Sequence, residues 1–372
     1  MNWKPYLLIV TLLAGVMIEN RADACMVFRL KAGDGTVITG RSMEFIADLK
    51  FDLIVVPRNM EIISPTPDGK AGVAWKTQYG YVGVTQFGAE LGVNEGMNEK
   101  GLAVSGLWFE VDMKWQEWNP GKRAQTIAGP LVTDWILGNL DSVTDIEREL
   151  SKLKAVSYCV PGTPPFCPSI HFNACDAKGD CKVIEYEEGA LHVYDNPLGI
   201  MTNAPRFPWQ MTNLRQYIGI ENFRPQPLEQ SGVTMRPTGH GAGMFGLPGD
   251  LTPPSRFVRL AALTRFAYGQ LDAGRTLNLA QHIMNNFDII HGMAIDPLPK
   301  GEVAAGEVAP SESTQWATFS DLTNRMIYFR TYDNFNLRKV EFKKIDFAAD
   351  KVKRIPMFGA VESITDVSAL AR

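Results

Sequence analysis

Residues 20–30 read NRADACMVFRL, a cysteine set directly behind Ala22-Asp23-Ala24. Everything before it has the layout of a secretory leader. Lys4 sits near the start, the apolar run YLLIVTLLAGVMI follows, and the short polar segment ENRAD leads into an Ala-x-Ala cleavage pattern. Removal of residues 1–24 leaves a single domain, residues 25–372, that begins with Cys25. A cysteine in first position owns a thiol and a free α-amine, with ordinary pKa values of about 8.5 and about 7.7–8. The amine can then serve as the general base for its own side chain, and no histidine is required.

A lipid-anchored, non-catalytic lipoprotein also begins with cysteine and is the competing reading. The usual lipoprotein pattern has Leu three residues before the cysteine and an apolar run that abuts it. Here that residue is Ala22, and Glu19, Arg21 and Asp23 intervene. The apolar run is short of the roughly 20 residues that a spanning helix needs, and no later stretch approaches that length, so no membrane span is expected. With 372 residues, 45% hydrophobic and 21% charged, the chain can bury a large core. A net charge of −4 offers no basic face for nucleic acid, which leaves small-molecule chemistry in an exported, periplasmic or secreted protein.

The other cysteines, Cys159, Cys167, Cys175 and Cys181, lie close together. In an oxidising compartment an odd count leaves one thiol over, and the solitary one is Cys25. Local pairing joins Cys159 to Cys167 and Cys175 to Cys181, the latter flanking the turn DAKGD; ordinary buried thiols are the other reading. The spacing holds no CxxC, so zinc is not implied.

Alternating apolar residues around Gly33-Asp34-Gly35 mark an opening hairpin. Further strands follow in YVGVTQFGAELGVNEGMN, LAVSGLWFEVD, the three runs of SIHFNACDAKGDCKVIEYEEGALHVYDN, and a hairpin turning near Thr323-Asn324. Leu131, Trp135, Leu137 and Leu140, then Ile146, Leu150 and Leu153, recur at helical spacing, with Asp141 or Ser142 as a cap between two helices. A second helical stretch is expected from about Ser255 to Phe287, and PKGEVAAGEVAPSES reads as a surface loop. Strands and helices without a βαβ rhythm predict an α+β layered fold with antiparallel sheets.

Arg41, on the second strand of the opening hairpin, can return beside Cys25 by cross-strand pairing, where a fixed cation favours thiolate. Glu44 is placed to hold the α-amine. The blocks CMVFRL, GRSMEF, GMNEKGLAVSGLWF, HFNACDAKGDCKVIEY, DNPLGIMTNAPRFPWQMTNL, GLPGDLTPPSRFVR and MIYFRTYDN together resemble the choloylglycine hydrolase family of N-terminal-nucleophile hydrolases, which includes penicillin V acylases and bile salt hydrolases. The resemblance implies a four-layer αββα sandwich whose N-terminal cysteine attacks a linear amide. It implies Cys25 as nucleophile and base, Arg41 as the arginine beside the thiol, and Glu44 where aspartate is common. It further implies Asn203 and the backbone N–H of Trp108 as the oxyanion hole, and Arg256 as the second arginine of the site. The Trp108 indole is a candidate wall of the acyl pocket. No metal or organic cofactor and a homotetramer are implied. The leader and Trp108 favour penicillin V or N-acyl homoserine lactones as substrates, with bile salts as the alternative.

Gly241-Ala-Gly243-Met-Phe-Gly246 fits GxGxxG but precedes LPGD and joins no strand to a helix, so it is not a dinucleotide site. The histidines show no paired-ligand spacing. A Cys-His-Asp enzyme built on His171 is the weaker reading.

Overall fold

A computed structural model of the chain describes residues 24–159, 167–267, 269, 272–295, 311–359, 363–365 and 367–368. The leader through residue 23 and most of the loop PKGEVAAGEVAPSES lie outside the described residues.

The opening hairpin sets the architecture. Strand Met26–Lys31 turns at Gly33-Asp34-Gly35, where the Asp34 carboxylate accepts the Thr36 N–H at 2.9 Å and Gly35 takes φ +89°. The partner strand, Val37–Phe45, is buried along its whole length. Such burial requires cover on both faces and both edges. Met26–Lys31 pairs with one edge and Ser313–Asp321 with the other, and Met326–Thr331 and Asn334–Glu341 complete an antiparallel five-stranded sheet.

A second antiparallel sheet runs in the order Ala190–Asp195, Cys181–Glu187, Ile170–Cys175, Ala103–Trp108, Glu95–Asn98, Tyr81–Thr85, Asp52–Val56 and Lys353–Pro356. Its inner strands are buried on both faces, because side chains alternate along a strand and this sheet is sandwiched, while the edge strands Ala190–Asp195 and Lys353–Pro356 are more exposed. Leu53 and Val55 join the cluster that holds Met43, Phe45 and Trp316, whereas Ile54 and Val56 join the one beneath Val132, Ile136 and Leu137. Helices Val132–Asn139 and Ile146–Leu150 cover this outer face, and helices Pro253–Phe266 and Ala273–Met284 cover the five-stranded sheet. The order of layers is αββα.

The expected helical stretch from Ser255 to Phe287 is two helices. The first opens on Pro253 and Pro254, whose missing N–H groups cost nothing in a first turn, and Asp272 starts the second by accepting the Arg275 N–H at 2.8 Å. Helix Phe207–Leu214 and the hairpin Glu61–Pro65/Ala71–Lys76 carry no strong periodicity and were not expected. Cys159 is joined to Cys167, and Cys175 to Cys181, directly opposite one another on a hairpin. Cys25 is the free cysteine, and it is buried.

Gly83 and Gly96 face one another in the eight-stranded sheet, where helix Val132–Asn139 packs. A Cβ on Gly96 would lie 2.8 Å from Leu137 Cδ1 and 2.8 Å from the Val82 carbonyl oxygen. Gly96→Ala must therefore push a backbone and a helix apart. It is expected to cost about 1–3 kcal/mol in denaturant unfolding; an unchanged midpoint would show that the helix yields freely.

Candidate active site

Strand register delivers the chemistry. Val27 pairs with Arg41 and Met26 with Ser42, so Cys25, one residue before the strand, meets Met43 and Glu44. Its Sγ lies 3.8 Å from Met43 Sδ and 3.9 Å from the Glu44 carbonyl. Arg41 reaches across the register: Nη2 is 3.9 Å from Cys25 Sγ and donates to the Gly106 carbonyl at 2.9 Å. The guanidinium lies 4.4 Å over the Trp316 ring, and its Nε is 3.9 Å from Glu95 Oε2. Burial pushes the Cys25 thiol above its ordinary value, and Arg41, the next strongest influence, pulls it back. A cation beside the sulfur thus moderates, without cancelling, the cost of a buried thiolate.

Asn203 and Arg256 come from different elements and meet at the same place. Arg256, in helix Pro253–Phe266, donates from Nη2 to Asn203 Oδ1 at 2.8 Å, and from Nη1 to the carbonyls of Ala24 at 2.8 Å and Cys25 at 2.7 Å. A guanidinium has only donors, so the atom it touches on Asn203 must be oxygen. The amide orientation follows: Asn203 Nδ2 faces the Trp108 carbonyl, to which it donates at 2.9 Å, and keeps a second N–H. Gly106, two residues before Trp108, sends its N–H to the Asn94 carbonyl at 2.7 Å. Alternation turns the Trp108 N–H toward the same side.

Cys25, Arg41 and Trp108 border a cavity of about 50 Å³ whose other walls include Phe45, Leu49 and Ile170; Asn203 and Arg256 stand outside its lining, Asn203 reaching it through the Trp108 carbonyl. The Trp108 ring packs edge-on against Phe45, with centroids 6.3 Å apart. Glu44 lies on the other side of the strand from Arg41 and Met43. Its carboxylate accepts from the Thr314 hydroxyl at 2.8 Å and the Ser42 hydroxyl at 3.1 Å. Burial pushes it up to about 8 against the pull of Arg256, those hydroxyls and Arg41. Glu95, buried beside Arg41, is pushed up to about 7 in the same way.

Sequence reasoning did not single out Glu95, although a carboxylate in the apolar run GVNEGMN was a signal that could have found it. It also passed over Asp134, a lone acid in a helix. Asp134 accepts from the Tyr81 hydroxyl at 2.8 Å and from the N–H groups of Gly92 and Val93 at 3.0 and 3.1 Å, fixing the loop that walls the cavity. His171 is not at the thiol: its partners are Glu185 and the Thr202 carbonyl. The GxGxxG segment forms a short 3₁₀ turn at Ala242–Met244, away from any strand-to-helix junction. Among the described residues no group of His, Cys, Asp or Glu is arranged to hold a metal ion, and no helix is long and apolar enough to cross a membrane.

Burial pushes the Asp134 carboxyl up to about 7 in spite of its hydrogen bonds, from an ordinary value of 3.8. A raised folded-state pKa means that the proton is held more tightly in the folded chain. The contribution is therefore complete below about pH 4 and is lost as the pH rises toward 7. Measured by urea unfolding, the stability of the wild type relative to Asp134→Asn is expected to fall between pH 4 and 7 and then level off. Parallel pH curves for the two proteins would place an ionised carboxylate in the fold.

The model of the linear amide C–N hydrolases of the choloylglycine hydrolase family matches residues 25–355. A bile salt hydrolase/transferase of Clostridium perfringens is 28% identical over 333 residues, 88% of this chain and 95% of the relative. The penicillin V acylase of Pectobacterium atrosepticum is 25% identical over 329 residues, 84% of this chain and 78% of the relative. Among solved structures, a variant of the conjugated bile acid hydrolase of C. perfringens superposes with a TM-score of 0.78 at 27% identity, covering 92% of this chain and all of that one. The penicillin V acylase of Agrobacterium tumefaciens shares the fold, with a TM-score of 0.68 at 22% identity over 89% of this chain and 91% of that one. With its αββα sandwich and a cysteine at the start of the matched region, the chain belongs to the choloylglycine hydrolase family and is a cysteine amidohydrolase acting on linear amides.

Proposed function

We propose that this enzyme cleaves N-acyl amides with slender acyl groups, of the penicillin V and N-acyl homoserine lactone kind, through a thioester on Cys25. The observation that carries the proposal is the cavity. It opens on the thiol, its walls are Phe45, Leu49, Trp108, Pro130, Pro168 and Ile170, and its volume is about 50 Å³. At that volume either kind of acyl group needs side chains to move, and a slender group needs fewer of them to move than a rigid four-ring steroid. The second reading, bile salt hydrolysis, is supported by the names of the relatives, several of which are bile salt hydrolase/transferases.

In the proposed reaction, residues 1–24 are removed on export and the new α-amine takes the thiol proton as sulfur bonds to the acyl carbon. The carbonyl electron pair moves to oxygen, where the second Asn203 N–H and the Trp108 N–H receive the charge. Losing one such donor typically costs about 2.7–4 kcal/mol of barrier stabilisation. Collapse of the intermediate breaks the C–N bond, and the ammonium returns its proton to the leaving amine. Water then adds to the thioester by the same path and releases the acid and the thiol. Arg41 stabilises the sulfur, Arg256 holds the Asn203 amide, and Glu44 supports the α-amine. The active form is proposed to be an exported, periplasmic or secreted homotetramer.

Amine release from penicillin V, long-chain N-acyl homoserine lactones, and glycine- and taurine-conjugated bile acids tests the assignment. Preference for the first two is expected; preference for the bile conjugates would overturn the slender-acyl reading and leave the family chemistry in place. Trp108→Ala should alter the ranking of acyl groups by tenfold or more in kcat/KM. Cys25→Ser is expected to fold and to lose nearly all turnover, and retained turnover would move the nucleophile elsewhere. Mass spectrometry of the exported N-terminal peptide should find an unmodified first-residue cysteine, where a diacylglycerol adduct would point to a lipoprotein.

A further inference from the structure

His171 and Glu185 form a buried pair that the proposed chemistry does not use. Both side chains are 1% exposed or less, and His171 Nδ1 lies 3.0 Å from Glu185 Oε1. The other ring nitrogen, Nε2, is 2.9 Å from the Thr202 carbonyl. A carbonyl can only accept, so Nε2 carries a proton and donates it to the residue just before Asn203. Glu185 also accepts the backbone N–H of Phe207, at 3.1 Å and 3.2 Å to its two oxygens. The pair therefore grips the chain on both sides of Asn203, at positions 202 and 207.

The grip extends to the other half of the oxyanion hole. The His171 ring stacks on Phe109 with centroids 4.2 Å apart and planes within 3°. Phe109 follows Trp108, whose carbonyl accepts from Asn203 Nδ2, and its own N–H is tied to the Ser169 carbonyl at 2.9 Å. One imidazole thus touches the segments that carry both proposed donors. Thr202 is held from the opposite side as well, its hydroxyl donating to the Pro253 carbonyl at 3.0 Å. A stacking contact and three hydrogen bonds leave the Thr202–Phe207 loop little freedom to tilt the Asn203 amide.

We propose that the His171–Glu185 pair is a positioning device that sets the two oxyanion donors at a fixed separation, acting on the reaction through Asn203 without contacting substrate. The inference rests on Asn203 being an oxyanion donor. Donors aimed in advance at the developing charge are what make such a site effective, and small displacements weaken them steeply. Substitution should therefore lower kcat with little change in KM, because the oxygen gains its charge only in the transition state.

The test is a double-mutant cycle on kcat with penicillin V or whichever amide is turned over best. Asn203→Ala alone should lower kcat by about 10²–10³-fold; no loss there would overturn the oxyanion reading itself, before the pair is examined. Given that loss, His171→Gln and Glu185→Ala are each expected to lower kcat at least tenfold in the Asn203 background and by less than threefold when combined with Asn203→Ala. Glu185→Gln, which can still accept from Phe207 and donate to the imidazole, should recover most of what Glu185→Ala loses. Alkylation of Cys25 by a small iodoacetamide reagent, at wild-type rate, reports an intact thiol site in each variant. Full multiplication of the effects in the double variants, or equal losses in KM and kcat, would overturn the positioning role.

Discussion

The Arg256 guanidinium is the tie on which the site depends. Fully buried, it must find acceptors for donors that cannot be relinquished, since arginine does not deprotonate in proteins. It finds them in the carbonyls of Leu251 and Cys25 and in Asn203 Oδ1, with the Ala24 carbonyl as a further acceptor that the proposed removal of residues 1–24 would take away. Those acceptors belong to the approach to its own helix, the start of the first strand and the loop after strand Ala190–Asp195. A planar fork that binds all of them holds the thiol-bearing residue and the Asn203 amide, the proposed oxyanion donor, in one frame. Lysine in its place would offer a single point of charge and leave the Asn203 amide free to turn over.

Two arginines and two carboxyls are buried around the sulfur: Arg41, Arg256, Glu44 and Glu95. Such a set is expensive to remove from water, and it is retained only where each member has partners. Glu44 has two hydroxyls, and Glu95 has Arg41 with the Ser105 and Thr318 hydroxyls. Arg41 has the Gly106 carbonyl and the face of Trp316. The small hydroxyl residues along Val37–Phe45 and Ser313–Asp321 therefore have a use that strand propensity does not reveal.

Much of the fold was legible in the sequence because it rests on alternation and local turns. The opening hairpin, the strands around DAKGD and the hairpin near Thr323-Asn324 carry period-two patterns and punctuating turn residues, and they stand where those signals put them. The same logic brought Arg41 to the thiol, since register on a hairpin is short-range information. The paired roles of Asn203 and Arg256 came only through the family resemblance, because their contact joins residues 53 positions apart through no periodic element. Asp134, Glu95 and Glu185 stayed silent for a related reason, and His171 was visible only as a candidate base, without its partner. A buried polar residue looks like a surface one until its partners are known.

The placement of His171 also bears on how the thiol is activated. A histidine base would sit at the sulfur, yet this one lies behind Asn203 with both nitrogens engaged. Burial also pushes the Cys25 thiol above its ordinary value, which disfavours a thiolate, while Arg41 pulls the other way. In the proposed reaction the proton leaves as the carbon–sulfur bond forms, and the acceptor nearest by covalent attachment is the α-amine of the same residue. That base does not exist while Ala24 is attached, because the nitrogen is then an amide with no basic lone pair. On the proposed chemistry, catalysis is thereby coupled to removal of residues 1–24: the bond cleavage that would release them would also create the base. A buried sulfur is also a poor target for oxidants, which need access to thiolate.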